Sequence, residues 1–499
     1  MPLLPRTPAL LWSVLALMLL SVLLRALPFF VGTYPTGADY GHHILFAEQF
    51  ISSGRLPSLI PYFQLGTTEW SVLPGANVLY ALIAFASGAT ALNALPLTLI
   101  FAAVETAGVY LLAWRIFRSP QSALIAALIV AALPAGADMM SWAGYPNFIA
   151  LALMPYVLLA MLNYWHRPTV RSLILSALST VGMMSIHHLS TLWIVATLFL
   201  FAVVHLVIQP ALSLKKLLPL GALGIVLGLP VAIAILNLTR VTSAGDVLLA
   251  ADRFEYSRIM LSDWSFTVTT ASSLFLTGGL LALLFNRQLH ISDRVLIAAY
   301  AVVCAAFAFG WLVGLRFFYT RALFFLPLVA ALGAAAMISA WRGVWLRGLI
   351  AASVVIMIGM GSITRVQFSV EYYQTLTPRV LDGAAWLREN SQPDDVVVVG
   401  TWWGFHMTRL LERPTLVALT PDLVGNPQEL PIAADAVSVL MGLENIDAVM
   451  AARDVRFVIV KARSPDIPDP ERARQVMNAH PQMRLVYRNL DILIYERVS

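Results

Sequence analysis

Apolar residues run in blocks of about twenty through the first three quarters of the chain, without the polar face that an amphipathic helix would keep. Helices of that length cross the ~30 Å hydrocarbon layer of a bilayer. The pattern predicts spans at 9–31, 93–114, 121–137, 146–164, 172–188, 189–208, 217–236, 266–285, 295–314, 322–341 and 345–362, about eleven in all. Residues 75–90 are apolar but short, and whether they cross decides the topology. The polar positions between the blocks answer that. Arg6, Arg115, Arg118, Arg167, Arg171, Lys215, Lys216, Arg287, Arg294, Arg342 and Arg347 all fall on one side if 75–90 does not cross completely, and the positive-inside rule makes that side cytoplasmic. Residues 75–90 are therefore expected to form a partial or interfacial helix.

The opposite, extracytoplasmic face then receives a long first external loop (32–92), shorter loops at 138–145, 237–265 and 315–321, and the whole C-terminal region. Most of the acids sit there: Asp39, Glu48, Glu69, Asp138, Asp246, Asp252, Glu255 and Asp263. Beyond Gln367 the periodicity changes. Residues 379–390 read as a helix and 395–400 as a buried strand, followed by helices near 431–441 and 443–453 and strands at 456–461, 483–488 and 491–496. Alternation of this kind predicts an α/β layer. The expected architecture is a polytopic α-helical membrane domain (1–366) carrying a soluble, extracytoplasmic α/β domain (367–499).

Composition agrees. The chain is 59% hydrophobic and 12% charged, with a mean hydropathy of +0.78, more apolar surface than a water-soluble fold hides. The formal charge of +5 does not point to nucleic acid, because the basic residues are spread over short loops with no aromatic-interleaved tract. The single cysteine, Cys304, excludes an intrachain disulfide. The N-terminal block is followed by Arg25 and Pro28 with no small-x-small cleavage site, so it reads as an uncleaved anchor with its N-terminus in the cytoplasm.

Chemistry concentrates in the external loops. In Gly37-Ala-Asp-Tyr-Gly-His-His43 a helix starting at Asp39 would place His42 and His43 three and four residues on, close to the carboxylate. Such a group can act as a base, ligate a metal or hold a phosphate; the bland alternative is that Asp39 only caps the helix. Two adjacent histidines point about 100° apart, so one of the two is expected to face the same target as Asp39. Asp138 is a second outer acid, which would otherwise be a solvated loop residue, and His187 and His188 end a span predicted to run outward. Asp39 and Asp138 are the acids available to a divalent cation, Mg or Mn, although no tight metal-ligand spacing is present and metal dependence stays open. Arg316 and Arg321, at the outer boundary of a late span, either snorkel to lipid headgroups or grip phosphate. Arg25 and Glu105 are intramembrane ionisable residues placed to pair.

Three stretches resemble the membrane-embedded C-type glycosyltransferase superfamily (GT-C), in particular the catalytic subunit of oligosaccharyltransferase and its bacterial relatives. Residues 384–406, from Ala384 to Gly-Thr-Trp-Trp-Gly-Phe-His406, are similar to that family's helix, strand and Trp-Trp-Asp-Tyr-Gly segment. Ser141-Trp-Ala-Gly-Tyr-Pro-Asn147 is similar to its second external loop, and Arg316 to Leu328 to its Arg-containing start of a late span. The resemblance implies that Asp39 is the first-loop catalytic acid, that Trp402 and Trp403, with His406 beside them, belong to an acceptor-facing element, and that Arg321 contacts lipid phosphate. Gly404 stands where the family has Asp after the tryptophans, and Asn147 where its second loop has an acid. Both departures weigh against peptide N-glycosylation.

The reading is a membrane glycosyltransferase whose partners are a polyprenyl-phosphate or polyprenyl-diphosphate sugar donor, membrane lipid, and an extracytoplasmic glycan, lipid or protein acceptor. Asp39, His42 and His43 would be catalytic; Asp138, His187, His188, Arg316, Arg321, Trp402, Trp403 and His406 would bind substrate. The alternatives are a transporter or flippase of a lipid-linked substrate and a non-catalytic membrane scaffold. A polar stripe crossing several spans would favour transport, and a wide separation of Asp39 from the other groups would favour the scaffold.

Overall fold

The computed structural model describes residues 8–30, 34–37, 39–70, 73–133, 135–241, 278–280, 282–283, 286, 289–310, 323–340, 343–356, 373–419, 429–443, 446–462 and 469–498. Among these, seven helices are long and apolar enough to cross a membrane: Pro8–Phe30 (α1), Ala91–Phe117, Pro120–Ser141, Tyr145–His166, Leu189–Ile208, Pro210–Ala234 and Ile291–Phe309. The chain is an integral helical membrane protein. Seven is fewer than the spans expected from hydropathy, for identifiable reasons. The spans expected at 172–188 and 322–341 form shorter helices, Val170–Ile186 and Leu326–Ala340. The first stops because His187 is extended and begins the next helix. The span at 345–362 is described only as Val344–Ile356, and most of 266–285 lies outside the described residues, as does the loop at 242–265 with its four acids. Residues 75–90 form a helix over Gly75–Ser87 (α3), whose 13 residues rise about 20 Å, short of a full crossing.

Several starts follow from local chemistry. Ser119 and Thr169 cap their helices through side-chain oxygens, with Pro120 and a Ser172 capping box beside them. At one end of the bundle, Arg115 donates to Asn163 Oδ1 at 3.2 Å and pairs with Asp293 at 3.8 Å. His166 meets the same carboxylate at 2.8 Å, and Lys216 donates to the Trp165 carbonyl at 2.6 Å. Four loops rich in basic residues are thus gathered at a common end. Inside the bundle, Arg25 pairs with Glu105 at 2.7 Å, and its other donors reach Ser21 Oγ and the Val130 and Ala131 carbonyls. One guanidinium satisfies the open carbonyl end of the Pro120–Ala132 helix and ties α1 to two neighbours.

The C-terminal region is a five-stranded sheet in the order β2-β1-β3-β5-β4, with β1 (Val396–Gly400) parallel to β2 (Thr415–Ala418) and β3 (Val455–Lys461), and β5 (Ile492–Arg497) antiparallel to β3 and β4 (Met483–Arg488). Helices Pro378–Glu389, Gly404–Leu411, Leu430–Met441, Ile446–Ala452 and Pro470–Ala479 accompany it. Hydropathy alone did not reveal β2, the Gly404–Leu411 helix or the Pro470–Ala479 helix. The last of these carried a readable signal, Asp469 capping with Pro470 following, whereas β2 has only four residues.

The open edge of β2 is covered by the segment between the helix Tyr40–Ser53 and α3, through Tyr62 and Gln64. Thr415 N–H donates to the Tyr62 carbonyl at 2.7 Å. The Gln64 side chain then acts as a surrogate peptide, donating to the Val417 carbonyl and accepting from its N–H at 3.0 and 3.1 Å. Phe63 stacks on Phe405 with ring centroids 4.5 Å apart. The helix Tyr40–Ser53 (α2) is joined to the same domain by a two-pronged ion pair, Arg409 Nε and Nη2 to the Glu48 carboxylate at 2.9 and 2.7 Å.

Because Arg25 is buried, removing its partner's charge balance is costly. Arg25→Ala is expected to destabilise the bundle by about 3–5 kcal/mol, and Arg25→Ala combined with Glu105→Ala by clearly less, since no uncompensated carboxylate is then left inside. Thermal unfolding of the detergent-solubilised protein measures both; equal losses would refute the pairing as the cause.

Candidate functional site

A cavity of about 250 Å³ lies where α2, α3, the turn at 142–147 and the junction at Ile186–His187 meet. It is lined by Asp39, His42, His43, Leu73, Asn77, Trp142, Ala143, Gly144, Pro146, Asn147, Ile186 and His187. Residues far apart in sequence thus converge on one space.

Asp39 precedes the first turn of α2, but its backbone is already helical (φ −78°, ψ −16°) and its carboxylate makes no capping hydrogen bond. The capping role that the sequence allowed is not used, since a capping side chain normally needs an extended backbone at that position. His42 and His43 both line the cavity, although their separation along the helix had suggested that only one would. Their rings lie 5.5 Å apart and converge on it. His43 Nδ1 meets Asn77 Oδ1 at 2.7 Å, and the ring also has a hydrogen bond to the Ala143 backbone. Asn77 was not anticipated; an amide in an otherwise apolar short helix was the available signal. His42 packs edge-on against Trp70 and Phe405, and its Nε2 is buried with no hydrogen-bond partner among the described residues. Burial lowers both histidines, His43 to about 4 in spite of its bonds to Asn77 and the Ala143 backbone, and His42 well below its ordinary value, with His43 as a second cause. Both rings are neutral at physiological pH.

His187 caps the His188–Ile208 helix. Its Nδ1 accepts from the Ser190 N–H at 3.3 Å, which leaves Nε2 as the protonated nitrogen. Ser190 Oγ lies between that ring and Asn147 Oδ1, so the amide at the family's acid position is held by the histidine's own cap. Asp138 does not join this group. The expected loop is instead a short helix, Ala135–Ser141, in which Asp138 is buried and lies outside the cavity lining.

Trp403 and His406, read as substrate contacts, are also elsewhere. Both are buried behind the Asp39 loop. Trp403 Nε1 donates to the Thr375 carbonyl at 2.7 Å with Lys461 Nζ over its ring, and His406 Nε2 lies 3.2 Å from the Gly37 carbonyl. The helix Gly404–Leu411 packs against α2 through His406 on Tyr40 and Arg409 on Glu48. Arg316 and Arg321, and the side chains of His188 and Trp402, lie outside the described residues.

No protein-family model and no curated protein matches the sequence. Solved structures do match. The oligosaccharyltransferase of Archaeoglobus fulgidus aligns at a TM-score of 0.62 and 14% identity, over 92% of this chain and 70% of its own. The mycobacterial arabinofuranosyltransferase AftD aligns at 0.63 and 15% identity, over 98% of this chain and 40% of its own. ArnT from Cupriavidus metallidurans, solved with undecaprenyl phosphate, aligns at 0.59 and 12% identity over 99% of both chains. This chain has the fold of the GT-C glycosyltransferases. At such identities the likeness is one of fold.

The archaeal GT-C neighbour has also been solved with Zn and sulfate. Among the described residues here, no group of three or more His, Cys, Asp or Glu is arranged to hold a metal ion. Asp39 is the one carboxylate lining the cavity and Asp138 does not approach it, while His43 already uses Nδ1 on Asn77. A hard cation such as Mg or Mn asks for more oxygen ligands than this, so the described residues do not form its cage.

His43 binds a proton more weakly when folded than its ordinary value of 6.5. Its contribution to stability is therefore complete above that value and is lost as the pH falls toward about 4. His43→Asn is expected to flatten the loss of thermal stability over that interval, by up to about 3 kcal/mol; an unchanged acid limb would contradict the assignment.

Proposed function

We propose that the protein is an inverting membrane glycosyltransferase, moving a sugar from a polyprenyl-phosphate or polyprenyl-diphosphate donor to a hydroxyl of an extracytoplasmic glycan, lipid or protein acceptor. The observation that carries this reading is the cavity that joins Asp39 to His42, His43, His187 and Asn147, in a chain with a GT-C fold. A pathway for transport would need polar groups continuing toward the other end of the bundle; this cluster is local, which favours chemistry over passage.

In the proposed reaction the Asp39 carboxylate takes the proton of the acceptor hydroxyl while the hydroxyl oxygen forms the new bond to the anomeric carbon. The bond from that carbon to the donor's phosphate oxygen breaks, and the electron pair leaves with the phosphate. Inversion follows from attack opposite the leaving group. His42 and His187 offer ring nitrogens to sugar hydroxyls, His187 through Nε2, the nitrogen its helix cap does not use. Asn147 and Asn77 add amide groups, and Trp142 an aromatic wall. Arg316 and Arg321 are the sequence's candidates for balancing charge on the leaving phosphate. Gly404 and Asn147 in place of acids support a hydroxyl acceptor over a peptide amide. The positive-inside pattern supports an extracytoplasmic cavity and a cytoplasmic N-terminus.

Asp39→Asn removes the base while keeping size and shape. It is expected to lower transfer by about 10²–10⁴-fold, read as loss of a glycan from the cell surface at equal expression of the full-length protein. Unchanged surface glycans would refute the role.

A further inference from the structure

Gly37 is tightly constrained beside the cavity. Its φ of 114° is one that other residues rarely adopt, and a Cβ there would come within 2.6 Å of both the Ala143 Cβ and the Trp142 carbonyl carbon. Trp142 and Ala143 are cavity wall, so one side of Gly37 rests on the wall. Its backbone is held from the other side. Gly37 N–H donates to the Tyr373 carbonyl at 2.8 Å, and Thr375 Oγ1 donates to the Gly37 carbonyl at 2.9 Å. The Thr375 carbonyl is in turn fixed by Trp403 Nε1.

His406 completes this arrangement from the sheet domain. Its Nε2 reaches the Gly37 carbonyl at 3.2 Å and Thr375 Oγ1 at 3.1 Å. Its ring lies 4.3 Å from that of Tyr40. Its Nδ1 sits so close to Gly41 that a Cβ there would approach it to 2.7 Å. The residues on both sides of Asp39 are therefore in contact with one buried imidazole. Burial pushes His406 down to about 3, with Arg409 and Lys461 adding to the effect, so the ring is neutral. Facing a carbonyl, Nε2 carries its one proton. Arg409, one turn along the same helix, holds Glu48 on α2, which keeps the imidazole and the loop in register.

We propose that His406 is a positioning residue for Asp39: by donating to the Gly37 carbonyl it lets the soluble domain set the backbone that presents the carboxylate to the cavity. This rests on Asp39 being the group that acts on substrate. It moves the segment resembling the Trp-Trp motif from the acceptor's side to the support of the first loop. Domain and bundle are then two halves of one site.

The test uses the full-length protein in detergent or nanodiscs, with hydrogen–deuterium exchange of residues 36–44 as a readout independent of activity. His406→Ala is expected to speed exchange in that segment by about tenfold, the scale of one lost buried hydrogen bond, while β1 and β3 stay protected. His406→Gln, whose Nε2 can occupy the place of the imidazole Nε2, is expected to restore protection. Wild-type exchange in His406→Ala, equal loosening of β1 and β3, or failure of His406→Gln to restore protection would each overturn the clamp. For the link to chemistry, the double variant His406→Ala with Asp39→Asn is expected to be no worse in surface-glycan transfer than Asp39→Asn alone, because one residue acts through the other. A further additive loss would overturn it. Should Asp39→Asn itself be silent, the functional reading fails, and the exchange result still decides whether the clamp exists.

Discussion

Gly37 is gripped from both sides, with the Trp142–Ala143 wall against its α-carbon and the 373–375 segment on its amide and carbonyl. A backbone that tolerates no side chain and spends both polar groups on one partner has little freedom, and Asp39 lies two residues beyond it. Trp142 and Ala143 also line the cavity with Asp39, so the pin ties the Asp39 loop to the cavity wall. The bundle supplies the wall, the α/β domain supplies the hold through Thr375, Trp403 and His406, and the segment between α2 and α3 covers the edge of β2 through Tyr62 and Gln64. An uncovered β2 edge would expose unpaired peptide groups; here the same segment that closes the sheet also frames the site.

Buried charges in the bundle are paired in two places. Arg25 and Glu105 share the bundle interior, and Asp293 collects Arg115 and His166 at one end. Around the cavity the solution is different. Burial holds His42 and His43 well below the ordinary imidazole value, so the two rings that line the cavity with Asp39 are neutral. A carboxylate in such company can accept a proton from a substrate hydroxyl without a neighbouring imidazolium holding its charge, and neutral rings offer N–H groups of defined tautomer, as His187 does through its helix cap.

The neighbours in fold share 12–15% of their residues with this chain while covering nearly all of it. Lipid-facing and core positions of a helical bundle exchange Leu, Val, Ile and Ala with little consequence, provided volume and pattern are kept, so sequence diverges while the arrangement of helices persists. The informative differences are at single polar positions. Asn147 sits in the cavity, bonded through Ser190 to the cap of the next helix. Gly404 packs with its α-carbon so close to Val417 that a Cβ would meet it at 2.6 Å. An acid there would have no room, which separates this chain from the motif it resembles.

Sequence by itself determined the class of the molecule, because apolar blocks of bilayer length and a change to alternating strands and helices are local patterns that need no knowledge of the fold. It also singled out Asp39, the two histidines beside it, His187, and the pairing of Arg25 with Glu105, since ionisable groups in or beside apolar segments need a partner or a task. Spatial proximity was a different matter. Asp138 looked like a partner of Asp39 and is buried in a helix and absent from the cavity lining, while Asn77 was not noticed and lines it. Trp403 and His406 read as contacts for substrate, and the structure places them on the Thr375 and Gly37 carbonyls. A side chain's neighbours are set by how helices cross and which face a turn presents, and those are properties of packing between segments hundreds of residues apart. Only the tertiary structure could decide that the sheet domain reaches back across 369 positions to hold the glycine before Asp39.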